Sequence, residues 1–381
     1  MTDPKKTTEP GQTVRTVAYG ATGVLLAAIA VHLIFLPPGG NKGEEAGESK
    51  PTSERAEESV SQTGHPRMRL VSTTVPMTNP INAERAYGYL KSICDIGPRM
   101  SGSRGMKQQQ KLVEEHFKPL ADEIEWQRFK ALDPRDKSKR VRMANFVAKW
   151  RPEATQRILL CAHYDTRPLP DQDRDLRARR NGRFIGANDG GSGTALLMEL
   201  AHLMAERFDD EAQEADFGVD FALFDGEELV WSDRDPYFLG SQWFGTQYAK
   251  RRPLPDPDGG KAKPWSYEGA VLFDMVASKN LQLYWEGHSF NSRQSRPLCR
   301  EVWDVAERLG VKEFVPRVKH TVQDDHLALR QYGGIRAIDL IDFDYPHWHT
   351  RGDTADKCSG ESMAKVGWVV WEWLLERANS K

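Results

Sequence analysis

Cysteine is scarce in this chain. The four cysteines, Cys94, Cys161, Cys299 and Cys358, are widely spaced and form no Cys-x-x-Cys pair. That excludes a cysteine zinc ribbon, provides no disulfide framework, and leaves free buried thiols as the expectation. An excess of one charge is missing too: 53 basic and 55 acidic residues leave a formal charge of −2. Such a balance gives no reason to expect nucleic acid as a partner. There is no internal repeat. From Gly39 to about Val75 large apolar residues are nearly absent until Met68, while Glu, Ser, Gly and Lys abound. A segment of that kind cannot bury enough surface to fold, so 37–79 is expected to be a linker.

Against these absences stands one long apolar run. Thr16 to Leu36, "TVAYGATGVLLAAIAVHLIFL", has 21 residues and follows Lys5, Lys6 and Arg15. Roughly 20 apolar residues cross a bilayer as a helix, and Pro37-Pro38-Gly39-Gly40 ends this one. The basic flank predicts a cytoplasmic N-terminus, 1–15, and a signal-anchor helix over 16–36, with the remainder outside the cytoplasm. Ala28-Ile29-Ala30 offers the alternative of cleavage and secretion.

Hydrophobic residues make up 39% of the chain, enough for a sizeable core, and 80–381 has the length of one large domain. Helical patterns run near Ala83–Ile93 and Gly105–Leu120. Strand-like runs follow: "EIEWQRFKA", "RMANFVAKW", "RILLCAHYD", "VDFALFD", "AVLFDMV", "LQLYWEG" and "IRAIDLIDF". Leu196, Leu200 and Leu203 recur at i, i+4, i+7, the signature of a helix packed on a sheet. This alternation predicts an α/β domain with helices on both faces of the sheet.

The strands end in chemistry. "RILLCAHYD" ends in His163 and Asp165, "VDFALFD" runs into Glu227-Glu228, "AVLFDMV" carries Asp274, Asp189 precedes a helix start, and "IRAIDLIDFDYPHWHT" ends in His347 and His349. A single strand-terminal acid usually caps a turn. Five such positions at one sheet edge are harder to explain that way, because sites form beyond the carboxyl ends of parallel strands. Two adjacent carboxylates repel one another, and burial raises the cost further. A metal cation offsets that cost, as does a proton-transfer role for one of the pair. Zinc takes histidine nitrogen and carboxylate oxygen. His163, Asp189, Glu228, Asp274 and His349 supply those ligands, leaving Glu227 free to move protons. Gly190-Gly191 lets the backbone turn after Asp189.

"HYD", "GANDGGSG", "FDGEE", "DMV", "QDDH" and "WHT" stand in the order seen in the zinc aminopeptidase and glutaminyl cyclase superfamily, which the chain resembles from about Ile81 to its end. The resemblance implies one globular domain with a central mixed sheet. Within the superfamily the chain looks most like the animal-type glutaminyl-peptide cyclotransferases, on account of Trp231-Ser232 after the glutamate pair, Asp324 in "VQDDH" and Trp348 before His349. "NDGGSG" and "HTRGDTADK" look more like the peptidases.

For a cyclase, the resemblance implies one zinc on Asp189, Glu228 and His349. Glu227, Asp274 and Asp324 are then the catalytic acids, and Trp231, Gln323 and Trp348 the substrate-binding residues. Peptide or protein N-termini are the substrates, and N-terminal glutamine becomes pyroglutamate with loss of ammonia. For an aminopeptidase, His163 and Asp274 complete a second metal site bridged by Asp189, and Glu227 activates water instead. A membrane-tethered binding domain without catalysis is a third reading, disfavoured by the complete ligand set. "DQDRDLRARR", Asp171 to Arg180, reads as a solvated loop. His326 is expected to orient a site carboxylate and His320 to fill a polar role.

Overall fold

The computed structural model describes residues 78–211, 216–254 and 259–379. The expected N-terminal tail, the membrane helix over 16–36 and all but the last residues of the linker lie outside the described residues. Among the described residues no helix is long and apolar enough to cross a membrane.

Two helices open the domain, α1 (Ala83–Ile96) and α2 (Arg104–Phe117). Their starts follow from side-chain caps: Asn82 accepts from the Arg85 N–H, and Ser103 from that of Met106, satisfying donors that have no partner within the helix. Ala86, Leu90 and Ile93 then bury one stripe of α1. A hairpin follows, β1 (Glu123–Asp133) and β2 (Asp136–Trp150), then β3 (Gln156–His163), the short α3 (Ala178–Asn181), α4 (Gly191–Glu211), β4 (Phe217–Phe224), α5 (Leu239–Ala249) and β5 (Ser266–Asp274). The last third holds β6 (Leu283–Trp285), α6 (Gly287–Asn291), α7 (Arg296–Leu309), β7 (Phe314–Val318), α8 (Asp325–Gly333), β8 (Ala337–Ile341) and α9 (Gly360–Asn379).

Among the described residues six strands form the central sheet, in the order β1-β2-β4-β3-β5-β8. β4, β3, β5 and β8 are parallel, and β1 and β2 are antiparallel additions. The sheet is therefore mixed, as the resemblance implied. β3 and β4 are buried almost end to end, which is why both read as continuous apolar runs. Ile158, Leu160 and Ala162 face the core shared with α1, α4 and α9. Leu159 and Cys161 face the opposite core with Phe244 and Leu329, from α5 and α8. Helices thus cover both faces, and all four cysteines are free.

One strand expectation changes. Only Leu283–Trp285 of "LQLYWEG" is a strand, and it lies outside the central sheet, paired in parallel with β7. Pro316 hides β7 in the sequence because proline donates no ladder bond. The register slips past it, pairing Tyr284 with Val315 and Trp285 with Val318.

A half-buried histidine couples this packing to pH. His116 of α2 bonds the Met198 carbonyl through Nε2 at 2.8 Å and lies against Tyr89, Phe117 and His202. Burial lowers its pKa to about 4, against the bond to Met198. The unfolded chain, with histidine near 6.5, therefore binds more protons between these values, and stability falls as pH drops from about 6.5 to 4, by on the order of 2–3 kcal/mol. His116→Gln keeps a donor for Met198 and removes the titration. Chemical denaturation at both pH values should show a smaller acid loss in this variant; an unchanged loss would place the acid sensitivity elsewhere.

Candidate active site

The parallel register brings the strand ends together. His163, the last residue of β3, lies opposite Phe224, the last of β4. Asp274, the last of β5, lies opposite Ile341 of β8. Beyond β4 the chain turns through Gly226 at φ +82° and delivers Glu227 and Glu228. Asp189 arrives from the loop before α4. Gly190 follows at φ +72°, and a Cβ there would lie 2.7 Å from the Asp165 carbonyl oxygen and 2.9 Å from the His163 ring. Only glycine fits that turn.

Among the described residues three ligand-type triads result; two of them share Asp189, and the third joins His163 to Glu227 and Glu228. The two that share Asp189 mark the site's two ends. In the first, His163 Nε2 lies 3.3 Å from Asp189 Oδ1 and 3.3 Å from Asp274 Oδ1. In the second, His349 Nε2 lies 2.9 Å from Glu228 Oε1 and 3.5 Å from Asp189 Oδ2. Within each triad the ligand-type atoms lie within 4.8 Å of one another. His349 has φ +53°, a backbone conformation that a non-glycine residue holds only when its surroundings impose it.

The neighbouring glutamates diverge. Asp165 accepts the N–H groups of both Glu227 and Glu228 at 3.1 Å, which fixes the turn. Glu228 then faces His349, with the Arg167 N–H donating to its Oε2 at 2.9 Å and the Arg167 guanidinium 3.6 Å from its Oε1. Glu227 Oε2 instead lies 3.8 Å from His163 Nδ1. Burial drives the Glu227 carboxyl well above the ordinary glutamate range, partly offset by His163 and reinforced by Glu228. Burial alone would lower His349, but Asp171 and Glu228 pull it up to about 9. The carboxylates thus demand positive charge, and Asp189 Oδ2 is buried without a hydrogen-bond partner. A divalent cation fits both the donor set and this deficit.

These groups open into a cavity of about 340 Å³, whose lining includes Asp189, Glu227, Glu228, Asp274, Asp324 and His349. Asp324 caps α8 by accepting the Asp325 N–H, while its Oδ2 is buried and unpartnered. Burial, with Asp274 and Asp325 nearby, pushes its carboxyl well above the usual range, toward the protonated form. Gln323 lines the same cavity. Trp348 lines it too, stacked on His349 with ring centroids 3.9 Å apart and leaning on Phe343.

Trp231 does not join them. Its backbone N–H and that of Ser232 both donate to Asp235, which curls the loop, and the Arg135 guanidinium sits 4.4 Å over its ring. Tyr237 and Phe238 line the cavity from this loop instead. His326 faces Glu286 at 3.2 Å and Asp339 at 3.8 Å, neither of them a lining residue, and His320 pairs with Asp344.

The loop read as solvated is an anchor at its start. Asp171 Oδ1 lies 3.1 Å from His349 Nδ1, and its Oδ2 accepts from Arg167 at 2.9 Å. The Gln172 N–H donates to the His349 carbonyl at 3.1 Å, and the buried Asp173 accepts from the Arg351 N–H and guanidinium. This strap holds the strained His349. Asp353 does the same for Asp189, accepting the Asn188 and Asp189 N–H groups. Sequence reasoning missed Asp171, Arg167 and Asp353 as site residues. For Asp353 the available signal was its place four residues after His349. Carboxylates behind metal-binding histidines are typically worth about 10–100-fold in metal affinity. Asp171→Asn should therefore bind zinc about 10–100-fold more weakly in competition with a chelator, with the metal-free melting temperature little changed; wild-type affinity would refute an orienting role.

The model of peptidase family M28 matches residues 145–374. Among curated proteins, the chain is similar to the glutaminyl-peptide cyclotransferase-like protein of Bos taurus, 24% identical over 294 residues, covering 73% of this chain and 72% of that one. Among solved structures, it is similar to the glutaminyl cyclase of Fimbriiglobus ruber, with 40% identity, a TM-score of 0.69, and coverage of 78% of this chain and 96% of that one. It is also similar to a leucine aminopeptidase precursor from Bacteroides thetaiotaomicron, at 26% identity and a TM-score of 0.67, covering 80% and 99% respectively.

Proposed function

The chain belongs to peptidase family M28, and on that premise we propose that it is a zinc-dependent glutaminyl-peptide cyclotransferase acting on the N-terminal glutamine of peptides or proteins. The observation that carries this reading is Asp324. Its buried carboxyl, whose Oδ2 has no hydrogen-bond partner, shares one small cavity with Asp274 and Glu227, a placement suited to a hydrogen-bond donor for a departing nitrogen. The glutaminyl cyclases among the similar structures support it.

Asp189, Glu228 and His349 would hold one zinc. Zinc bound there supplies Lewis-acid polarisation of the glutamine side-chain carbonyl. Trp348, stacked on His349 and backed by Phe343, presents an apolar wall to the methylenes of that side chain. Asp274 holds the α-amino group. Glu227 takes a proton from that group as its nitrogen closes on the side-chain carbonyl carbon, and delivers it to the amide nitrogen, which leaves as ammonia. Burial raises the Glu227 carboxyl above the ordinary glutamate range, the direction that both duties call for. Asp324 donates to the departing nitrogen. Because nucleophile and electrophile share one residue, the protein's task is positioning and charge stabilisation.

A second reading keeps a specific observation of its own. His163, Asp189 and Asp274 complete a second triad, the arrangement for two metals with Glu227 activating water. The products separate the two: a Gln-X peptide should yield ammonia and an intact, cyclised peptide, whereas free glutamine would establish hydrolysis. The apolar run at 16–36 with its basic flank supports an extracytoplasmic catalytic domain, and recovery of the intact protein from the soluble cytoplasmic fraction would contradict that placement.

A further inference from the structure

The β1–β2 hairpin carries a concentration of charge that the reaction does not use. β2 pairs with β4 only over Phe146–Trp150, so the stretch 136–145 projects past the end of β4, at the same sheet edge as the catalytic cavity. Across the hairpin Lys130 lies opposite Arg142, Leu132 opposite Arg140, and Arg128 opposite Ala144. Opposite residues share a face, so Arg128, Lys130, Arg140 and Arg142 all project from one side. With Lys107 of α2 and Arg135 of the turn they line a trough of about 740 Å³, in which Asp133 is, among the described residues, the only acidic lining residue.

Little inside the domain neutralises this charge. Asp133 is taken by Arg135 at 3.5 Å, and Arg128 leans on the Trp126 ring. Among the described residues no carboxylate lies within ion-pair distance of Lys107, Lys130, Arg140 or Arg142. Setting Lys130 directly opposite Arg142 is destabilising in a sheet, a cost that folding does not explain. The chain as a whole carries a formal charge of only −2, so the trough is a local feature rather than a consequence of composition.

The trough adjoins the catalytic wall. Ser101, on its lining, donates to Asp225 Oδ1 at 2.6 Å and lies 3.4 Å from Asp165 Oδ2, on the carboxylate that fixes Glu227 and Glu228. On the other side Arg135 covers Trp231, and Lys137 Nζ reaches Asp235 at 4.0 Å, both on the loop that follows Glu228. The trough therefore lies beside the loop that carries Glu227 and Glu228 into the cavity.

We propose that the basic trough binds an acidic stretch of the polypeptide substrate, several residues downstream of its N-terminal glutamine. The proposal rests on the cyclase reading for its substrate. A concave trough between a helix and a hairpin admits an extended chain but not the face of a bilayer. It also lacks free aromatic rings on which bases would stack: Phe129 is occupied by Trp243 and Trp126 by Phe146. Charge complementarity of this kind acts mainly on encounter and is screened by salt.

The test uses the full chain and three synthetic peptides that share an N-terminal Gln and a Gly-Ser spacer and end in hexaglutamate, hexaglutamine or hexalysine. At low salt kcat/KM for cyclisation should be about tenfold higher for the acidic than for the neutral tail, and lowest for the basic one. At about 0.5 M salt the three should converge. In Arg140→Glu/Arg142→Glu the order should reverse, with turnover of a Gln-Ala dipeptide unchanged; Arg140→Gln/Arg142→Gln, a milder change at these exposed positions, should abolish the preference. Equal kcat/KM for acidic and neutral tails at low salt overturns the proposal, as does a preference that survives both variants. If no peptide is cyclised, the cyclase reading fails, and fluorescence anisotropy with the labelled acidic peptide still decides the trough: salt-sensitive binding lost in the variants supports it, and no binding refutes it. Binding to phosphatidylserine vesicles but not to the peptide would also overturn it.

Discussion

Glu227→Gln should lower turnover by about 10²–10⁴-fold, the usual worth of general acid–base catalysis, while leaving zinc in place. The two glutamates are separated in function by the turn that Asp165 fixes: Glu228 faces His349 and Arg167, and Glu227 faces the cavity and His163. Glutamine preserves the size of the side chain and most of its hydrogen bonds, and removes only the group that takes up the proton. The loss should appear in kcat and kcat/KM alike, because the interaction is realised in the transition state. Metal content, measured on the purified variant, should match the wild type. Full turnover in this variant would remove Glu227 from the mechanism, and loss of zinc would make it a ligand.

His349→Ala should abolish activity by a different route, through loss of the metal. Its Nε2 closes the triad with Asp189 and Glu228, and no other described histidine lies within that triad. Removing it should weaken zinc binding beyond the roughly 100-fold expected for an orienting carboxylate such as Asp171. The readout need not be catalytic. Zinc that binds only the folded protein stabilises it, by about 2.7 kcal/mol at 100 times its dissociation constant, so it should raise the wild-type melting temperature. The variant should show little such rise. A variant that retains full zinc and full rate would refute the ligand assignment.

The fold and most of the site were legible for one physical reason. β3 and β4 are buried on both faces, so their apolar runs stand out, and the polar residues that end them, His163 and the Glu227-Glu228 pair, mark where the sheet meets solvent. The parallel register carries those ends to a single edge. Trp231 shows the limit of that reasoning. Its closeness to Glu228 in sequence says nothing of direction, and the turn closed on Asp235 sends it beneath Arg135 and away from the cavity. The Asp171 segment failed for a related reason. Its composition matches a solvated loop, whereas its role depends on bonds to His349 and Arg351 nearly half the chain away. β7 was concealed by Pro316, whose effect a register slip absorbs. The basic trough needed the hairpin register, since only cross-strand pairing reveals that Lys130, Arg140 and Arg142 share a face.

The most direct test of the central claim is a mass measurement on one mixture. Equal amounts of a Gln-X and a Leu-X peptide are incubated with the zinc-loaded full chain and followed over time. The account predicts that the Gln-X peptide loses one ammonia and stays otherwise whole, while Leu-X is unchanged. Release of free leucine, with Gln-X left uncyclised, would contradict it and assign the site to aminopeptidase chemistry.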